Sequence, residues 1–282
     1  MRFARIGPPG AERPVVLGDD GTPLDISRLT DDIDGSLLHT GLDEVREALA
    51  AGALDPIEIV SDRYGPPLTG IGKIVCVGLN YADHAAETGA TLPTEPVLFL
   101  KTPDTVIGPN DEVLIPRGSS RTDYEVELAV VIGGEARYLD SPADAAAVIA
   151  GYAISNDVSE REFQINRGGQ WDKGKNCETF NPLGPWLVTS EEIPDPQALG
   201  LRLWVNGEPR QDGTTANMAF GVHHLVWYIS QFMVLRPGDV INTGTPAGVA
   251  LGRSGGGYLR VGDTMCLEID GLGVQQQQLG AA

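Results

Sequence analysis

The stretch TDYEVELAVVIGG, residues 122–134, decides the reading of this chain. Glu125 and Glu127 stand one residue apart, directly before an almost purely aliphatic run. In a strand, residues i and i+2 share a face, so the two carboxylates lie side by side, ~7 Å apart along the chain. Val126 and Leu128 face the other way, and AVVIG predicts a strand that soon becomes buried on both faces. Two like charges near an interior repel each other and resist desolvation unless a cation sits between them. An E-x-E pair alone is ordinarily a solvated polar face, and this chain is acidic.

A third acid changes that balance. In AGYAISNDVSER, residues 150–161, Asp157 ends a second apolar strand where a loop begins. Two Glu and one Asp form an oxygen-only donor set, suited to Mg²⁺ or Mn²⁺ with positions left for water and substrate. With neither imidazole nor thiolate in the set, zinc is disfavoured.

Composition sets the outer limits. The chain has 282 residues, 41% of them hydrophobic, which is enough for a large core. Lys and Arg total 20 against 39 Asp and Glu, a formal net charge of -19. That charge repels nucleic acid and anionic membrane surfaces, so neither is an expected partner. No apolar run reaches the ~20 residues of a membrane span. Cys76, Cys177 and Cys266 are scattered, without C-x-x-C spacing or a secretory signal, and point to a reducing cytoplasm.

The segment YGPPLTGIG, residues 64–72, reads as a linker between a small N-terminal α+β domain, residues 1–70, and a larger domain, residues 71–282. The first holds strand-like RFARIG and PVVLG and a helical LDEVREALAAGAL. Strands dominate the second, each bounded by Gly, Pro, Asn or Asp, with a type I′ hairpin at Asn206-Gly207. Helices are expected at SPADAAAVIAG, capped by Ser141, and at GVHHLVWYISQFMVL, while the tail QQQQLGAA reads as a frayed end. The fold class is mainly β with few helices, a folded-over sheet or roll.

Further motifs carry chemistry. In NYADHAAETG, His84 and Glu87 are i and i+3 on a short helix closed by Gly89. A carboxylate beside an imidazole orients the ring and raises its basicity, as a general base for water requires. Arg161 and Gln164 follow Asp157 closely enough to reach its side of a helical turn.

From Lys73 to Gly273 the chain resembles the fumarylacetoacetate hydrolase family, through GLNYADHAAE, TDYEVELAVVIG, NDVSEREFQ, GQWDKGKNCETFNPLGPW and PGDVINTGTPAGVALG in that order. The resemblance implies a mixed β-sandwich roll of that family's C-terminal type. It implies Mg²⁺ or Mn²⁺ on Glu125, Glu127 and Asp157, and chemistry on a small anionic 2-oxo acid. By the same resemblance His84 and Glu87 form the water-activating dyad and Lys175 is the active-site lysine. Arg161, Gln164, Thr245 and Lys101 are its substrate-binding candidates, Thr245 as a hydroxyl donor, and the relatives imply a homodimer. Trp171 is either a pocket wall or a packing anchor.

The run from Ser159 to Thr189 most resembles the sugar-acid branch that hydrolyses 2,4-diketo-3-deoxy-L-rhamnonate to pyruvate and L-lactate, a C–C bond hydrolase acting on ketonic substrates. Glu178 and Asn181 depart from that pattern, which has Asp and Gly there, and both lie near Lys175 in sequence. Three readings stay open: an acylpyruvate hydrolase, of this or another acyl group such as fumaryl; an oxaloacetate-type decarboxylase or tautomerase on the same metal; and a silent binding protein. Retention of His84 and Glu87 argues against the second. Retention of a buried acid cluster, costly without a function, argues against the third.

Overall fold

The computed structural model describes residues 1–58, 61–253 and 255–282. Every residue of the strand Val126–Ile132 is buried, as its unbroken aliphatic run requires, and this strand lies inside a nine-stranded sheet. On one side it pairs antiparallel with Ile149–Asn156, also buried throughout, and on the other with Val240–Asn242. The sheet continues through Ile74–Gly78 to Val97–Lys101 in one direction. In the other it passes through Leu187–Thr189 to the N-terminal strands Arg2–Ile6, Arg13–Leu17 and Pro23–Asp25. The N-terminal segment therefore adds its strands to the same sheet, joined where Arg2 faces Val188.

A five-stranded sheet runs in the order Glu208–Thr214, Gly200–Val205, Thr264–Ile269, Gly273–Ala281, Val113–Ile115. Its alternating inner residues Leu201, Leu203, Val205, Met265, Leu267 and Ile269 share one core with Val126, Leu128, Val130 and Ile154 of the first sheet. Each such aliphatic side chain contributes about 1.5–3 kcal/mol by leaving water. Neither sheet closes on itself, so the architecture is mainly β, two open sheets face to face with few helices. Asn206 and Gly207 both have positive φ, as the type I′ hairpin demands.

Two expectations change. The segment SPADAAAVIAG forms only a 3₁₀ helix, Pro142–Val148, behind a Ser141–Asp144 capping box, and its last three residues start the buried strand Ile149–Asn156. A β-strand contact recovers more burial for Ile149 and Ala150 than a longer exposed helix would. The glutamine tail is no frayed end. Gly273–Ala281 is a nine-residue strand, and Gln275 and Gln277 point inward. The Gln275 amide donates to Ile154 O and Gly184 O, and Gln277 donates to Pro109 O and Gln275 Oε1. Buried amides are tolerated because these bonds satisfy them.

Candidate metal centre and active site

The strand register brings the three acids together. Ser155 lies opposite Glu127 and Asn156 opposite Val126, and one step further Asp157 N donates to Glu125 O at 3.0 Å. Directly opposed residues of an antiparallel pair share a face, so Asp157 projects beside Glu125 with Glu127 next along. Carboxylate oxygens of all three come within 4.8 Å of one another, and all three residues are buried.

Three cations surround the cluster. Lys175, on the short helix Asp172–Lys175, donates to Glu125 Oε2 at 2.7 Å and to Asp157 Oδ2 at 2.8 Å. The Arg161 guanidinium donates through Nη2 to Glu125 Oε1 at 2.7 Å and through Nε to Asp123 Oδ2 at 2.8 Å. Lys101 donates to Asp157 Oδ1 at 2.6 Å, Phe180 O at 2.7 Å and Val158 O at 3.2 Å. Burial works to raise the Glu125 pKa, but Lys175 and Arg161 overcome it and hold the group down at about 2. Burial opposes the charge of Lys175, yet Asp157 and Glu125 keep it protonated well above the usual lysine range.

Glu127 is different. Its Oε2 accepts from Gly244 N at 2.8 Å, and among the described residues no side-chain cation bonds it. Burial, then the charges of Asp157 and Glu125, push its pKa well up. A buried carboxylate with a free oxygen, turned toward two others, is what a hard divalent cation satisfies. Carboxylate oxygens carry further lone pairs, so Glu125 and Asp157 can ligate while keeping their lysine and arginine partners. The donor set therefore fits Mg²⁺ or Mn²⁺.

The cluster opens into a cavity of about 110 Å³ lined by His84, Glu125, Glu127, Gln164, Lys175 and Thr245 on its polar side. His84 sits on the helix Ala82–Glu87, which follows Asn80. Asn80 is fully buried and ties this segment to distant loops, donating to Thr243 O and Phe220 O and accepting from Phe220 N. Nδ1 of His84 lies 3.8 Å from Glu87 Oε2, which accepts from Gly248 N at 2.9 Å. A Cβ on Gly252 would fall 2.4 Å from Glu87 Cγ and Cδ, so Glu87 occupies the space that glycine leaves. Burial would raise Glu87, but the nearby His84 ring and the bond from Gly248 N draw it below the usual carboxylate range.

Three side chains expected to meet substrate have protein partners in this structure. All three ammonium donors of Lys101 have protein acceptors and the residue is 1% exposed, so it stands behind Asp157. Arg161 presents its edge to Asp123 and Glu125 rather than to the cavity, and Nη1 donates to Gln164 Oε1 at 3.0 Å. The Thr245 hydroxyl donates to Val126 O at 2.9 Å and accepts from Gln211 Nε2 at 2.7 Å, so its hydrogen is not available as a hydroxyl donor. Gln164, by contrast, has its oxygen fixed by Arg161 and its residue in the cavity wall, which leaves the amide NH₂ as the free end.

Residues 178 and 181 lie apart from the cavity. Glu178 is exposed, and Asn181 is fully buried where its Oδ1 accepts from Asn242 Nδ2 at 2.9 Å. Trp171 takes both of its expected parts, lining the cavity and packing edge-on against Phe99 at 5.6 Å. Lys173 donates to Arg167 O at the surface, and His224 stacks between Phe220 and Tyr228, away from the site.

Asp123 went unremarked in the sequence although it stands two residues before Glu125. It is fully buried, accepts from Arg161, and takes the N–H groups of Ala250 and Leu251 at 2.8 and 3.0 Å. It thereby ties the cluster to the turn that carries Gly252. Gln211 likewise ties Val126 N to Thr245 and Pro246 O. The TDYEVE spacing held the signal for Asp123, since it shares a strand face with Glu125. Gln211, in a separate hairpin, carried none.

Comparison with known proteins agrees with this geometry. The chain is 49% identical over 288 residues to a Burkholderia multivorans protein named as a hydrolase with no substrate, and the match covers 100% of both. It superposes on a 2-hydroxyhepta-2,4-diene-1,7-dioate isomerase from Mycobacterium marinum with a TM-score of 0.77 and 34% identity, covering 100% of this chain and 98% of the other. A maleylpyruvate hydrolase from Sphingobium sp. SYK-6, solved with manganese(II) and pyruvate, matches with a TM-score of 0.81 and 29% identity over 100% of both chains. The model of the fumarylacetoacetate hydrolase C-terminal domain matches residues 73–279, and with the buried acid triad at its centre the chain belongs to the fumarylacetoacetate hydrolase family.

Proposed function

We propose that this protein is a metal-dependent acylpyruvate hydrolase that cleaves 2,4-diketo-3-deoxy-L-rhamnonate to pyruvate and L-lactate. One observation carries the hydrolytic part: His84, with Glu87 3.8 Å from its Nδ1, lines the same cavity as Glu125 and Glu127 of the acid cluster. Glu125, Glu127 and Asp157 would hold the cation, which supplies Lewis acidity toward the oxygens of a bound 2-oxo acid. Gln164 offers its amide NH₂ to a substrate oxygen, and Lys175 contributes a fixed positive charge where an oxyanion develops.

His84, with Nδ1 turned to Glu87, takes a proton from water at its other ring nitrogen. The hydroxide adds to C4, and the C3–C4 bond breaks with its electron pair remaining on C3. The imidazolium returns its proton to C3, giving pyruvate, while the C4 fragment leaves as the second acid. Four buried carboxylates, Asp123, Glu125, Glu127 and Asp157, face three cations, so adding a divalent ion turns the site net positive and suited to an anionic substrate. The sugar-acid assignment rests on the Ser159–Thr189 resemblance. The departures at Glu178 and Asn181 do not weigh against it, because neither residue lines the cavity.

The test is pyruvate release from 2,4-diketo-3-deoxy-L-rhamnonate with Mg²⁺ or Mn²⁺, with and without EDTA, for the wild type and His84→Ala. Metal-dependent release that falls by about 10²–10⁴ in His84→Ala supports the reading. Turnover of oxaloacetate alone, with His84→Ala unimpaired, replaces it with a decarboxylase.

A further inference from the structure

We infer that the acyl end of the cavity selects a short, uncharged group and rejects a second carboxylate, with Trp171 as the residue that sets this limit. The inference rests on the 2-oxo acid reading above and narrows its substrate class. The cavity has few charged groups. Glu125, Glu127 and Lys175 are its charged lining residues besides His84, and the other polar ones are Thr88, Gln164 and Thr245. The larger apolar side chains of the lining are Leu79, Phe99, Ile165, Trp171 and Leu251, with Val77 and Gly78 beside them.

That wall is built rather than incidental. The Trp171 ring lies over Gly78, where a Cβ would stand 2.4 Å from its Cζ3, so only a glycine leaves room for the indole. Phe99 holds it from the side, edge-on at 66°. The same Phe99 ring lies 5.1 Å from Lys175 Nζ, which couples the apolar wall to the charged end. A rigid indole held on two sides gives the acyl pocket a fixed depth.

The charge argument points the same way. Among the described residues lining the cavity, Lys175 is the only lysine or arginine, and it is paired with Glu125 and Asp157. Arg253 is exposed outside this lining, and its charge acts on Glu87. A carboxylate pressed on Trp171 and Leu251 would lose its hydration without a partner, a penalty large enough to exclude it.

The test compares two ligands of equal chain length, 2-oxohexanoate and 2-oxoadipate, which differ in a methyl against a carboxylate terminus. Their dissociation constants are measured by calorimetry with the Mn²⁺-loaded protein, for the wild type, Trp171→Ala and Leu251→Arg. Acetylpyruvate and succinylpyruvate hydrolysis is followed alongside. The expected result is at least tenfold tighter binding of 2-oxohexanoate by the wild type, with that preference reduced tenfold or reversed in Leu251→Arg. Trp171→Ala should admit 2-oxooctanoate, which the wild type excludes. Equal or tighter binding of 2-oxoadipate by the wild type overturns the inference, as does failure of 2-oxohexanoate to bind at millimolar concentration. If the binding preference holds while neither acylpyruvate is cleaved, the selectivity stands and the hydrolase reading falls.

Discussion

Lys101 offers the sharpest separation between a substrate contact and a scaffold. In Lys101→Met the side chain keeps its length and loses its charge. Three acceptors are then left in a fully buried place: Asp157 Oδ1, Phe180 O and Val158 O. The bond to the carboxylate is charge-assisted, worth about 1.5–3 kcal/mol, and each carbonyl adds about 1 kcal/mol. Breaking a buried ion pair from one side costs about 3–5 kcal/mol in all, because the remaining charge stays buried. For a chain of this size that lowers Tm by roughly 5–15 °C. Lys175 still faces Asp157 Oδ2, so the carboxylate is not left bare and the lower half of that range is expected. The assay is thermal unfolding with EDTA and with saturating Mn²⁺, paired with kcat and KM. Mn²⁺ should recover part of the loss, since the cation supplies the missing charge beside Asp157. An unchanged Tm together with a raised KM alone would refute this reasoning and return Lys101 to the substrate.

Glu127→Gln should abolish tight Mn²⁺ binding, by at least ~100-fold in titration calorimetry, yet leave the metal-free protein as stable as the wild type or more so, because it removes a group whose charged form burial and the charges of Asp157 and Glu125 disfavour. The same group sets a pH dependence. Its folded pKa is raised, so its contribution to apoprotein stability is full below the unfolded value near 4.5 and is lost as pH rises through the raised folded value, while Glu125 acts oppositely and loses its contribution as pH falls from about 4.5 toward 2. Apoprotein Tm should therefore drop on the alkaline side of that window and Mn²⁺ affinity should climb with pH, since binding displaces the Glu127 proton; a pH-independent affinity between pH 5 and 9 would contradict this. Gly252→Ala should push Glu87 from its cradle and lower kcat by roughly 10–100-fold through the His84 orientation, with Mn²⁺ affinity unchanged, read by steady-state kinetics beside calorimetry.

The pairing of Glu125 with Glu127 and of His84 with Glu87 was legible in the sequence because local periodicity delivers both, whereas Asp157 joins the first pair only through the strand register. A two-residue spacing on a strand aligns Glu125 with Glu127, and a three-residue spacing on a helix aligns His84 with Glu87, whatever the rest of the chain does. The aliphatic run after Glu127 likewise determined a strand buried on both faces. The glutamine tail was misread because polarity suggests solvent, whereas Gln275 and Gln277 fit the interior once Ile154, Gly184 and Pro109 offer their carbonyls.

What only the tertiary structure decided is where each hydrogen-bond donor points. Lys101 finds Asp157 across 56 residues, Arg161 finds Asp123 across 38, and Thr245 finds Val126 across 119. A buried donor commits to whichever acceptor the fold brings within about 3 Å, and burial makes that commitment binding because water cannot replace it. Sequence determines which side chains can do the chemistry here. The strand register and the packed loops determine that Gln164, Lys175, His84 and Thr245 line the cavity while Lys101 and Arg161 stand behind it, bonded to the carboxylates of the acid cluster.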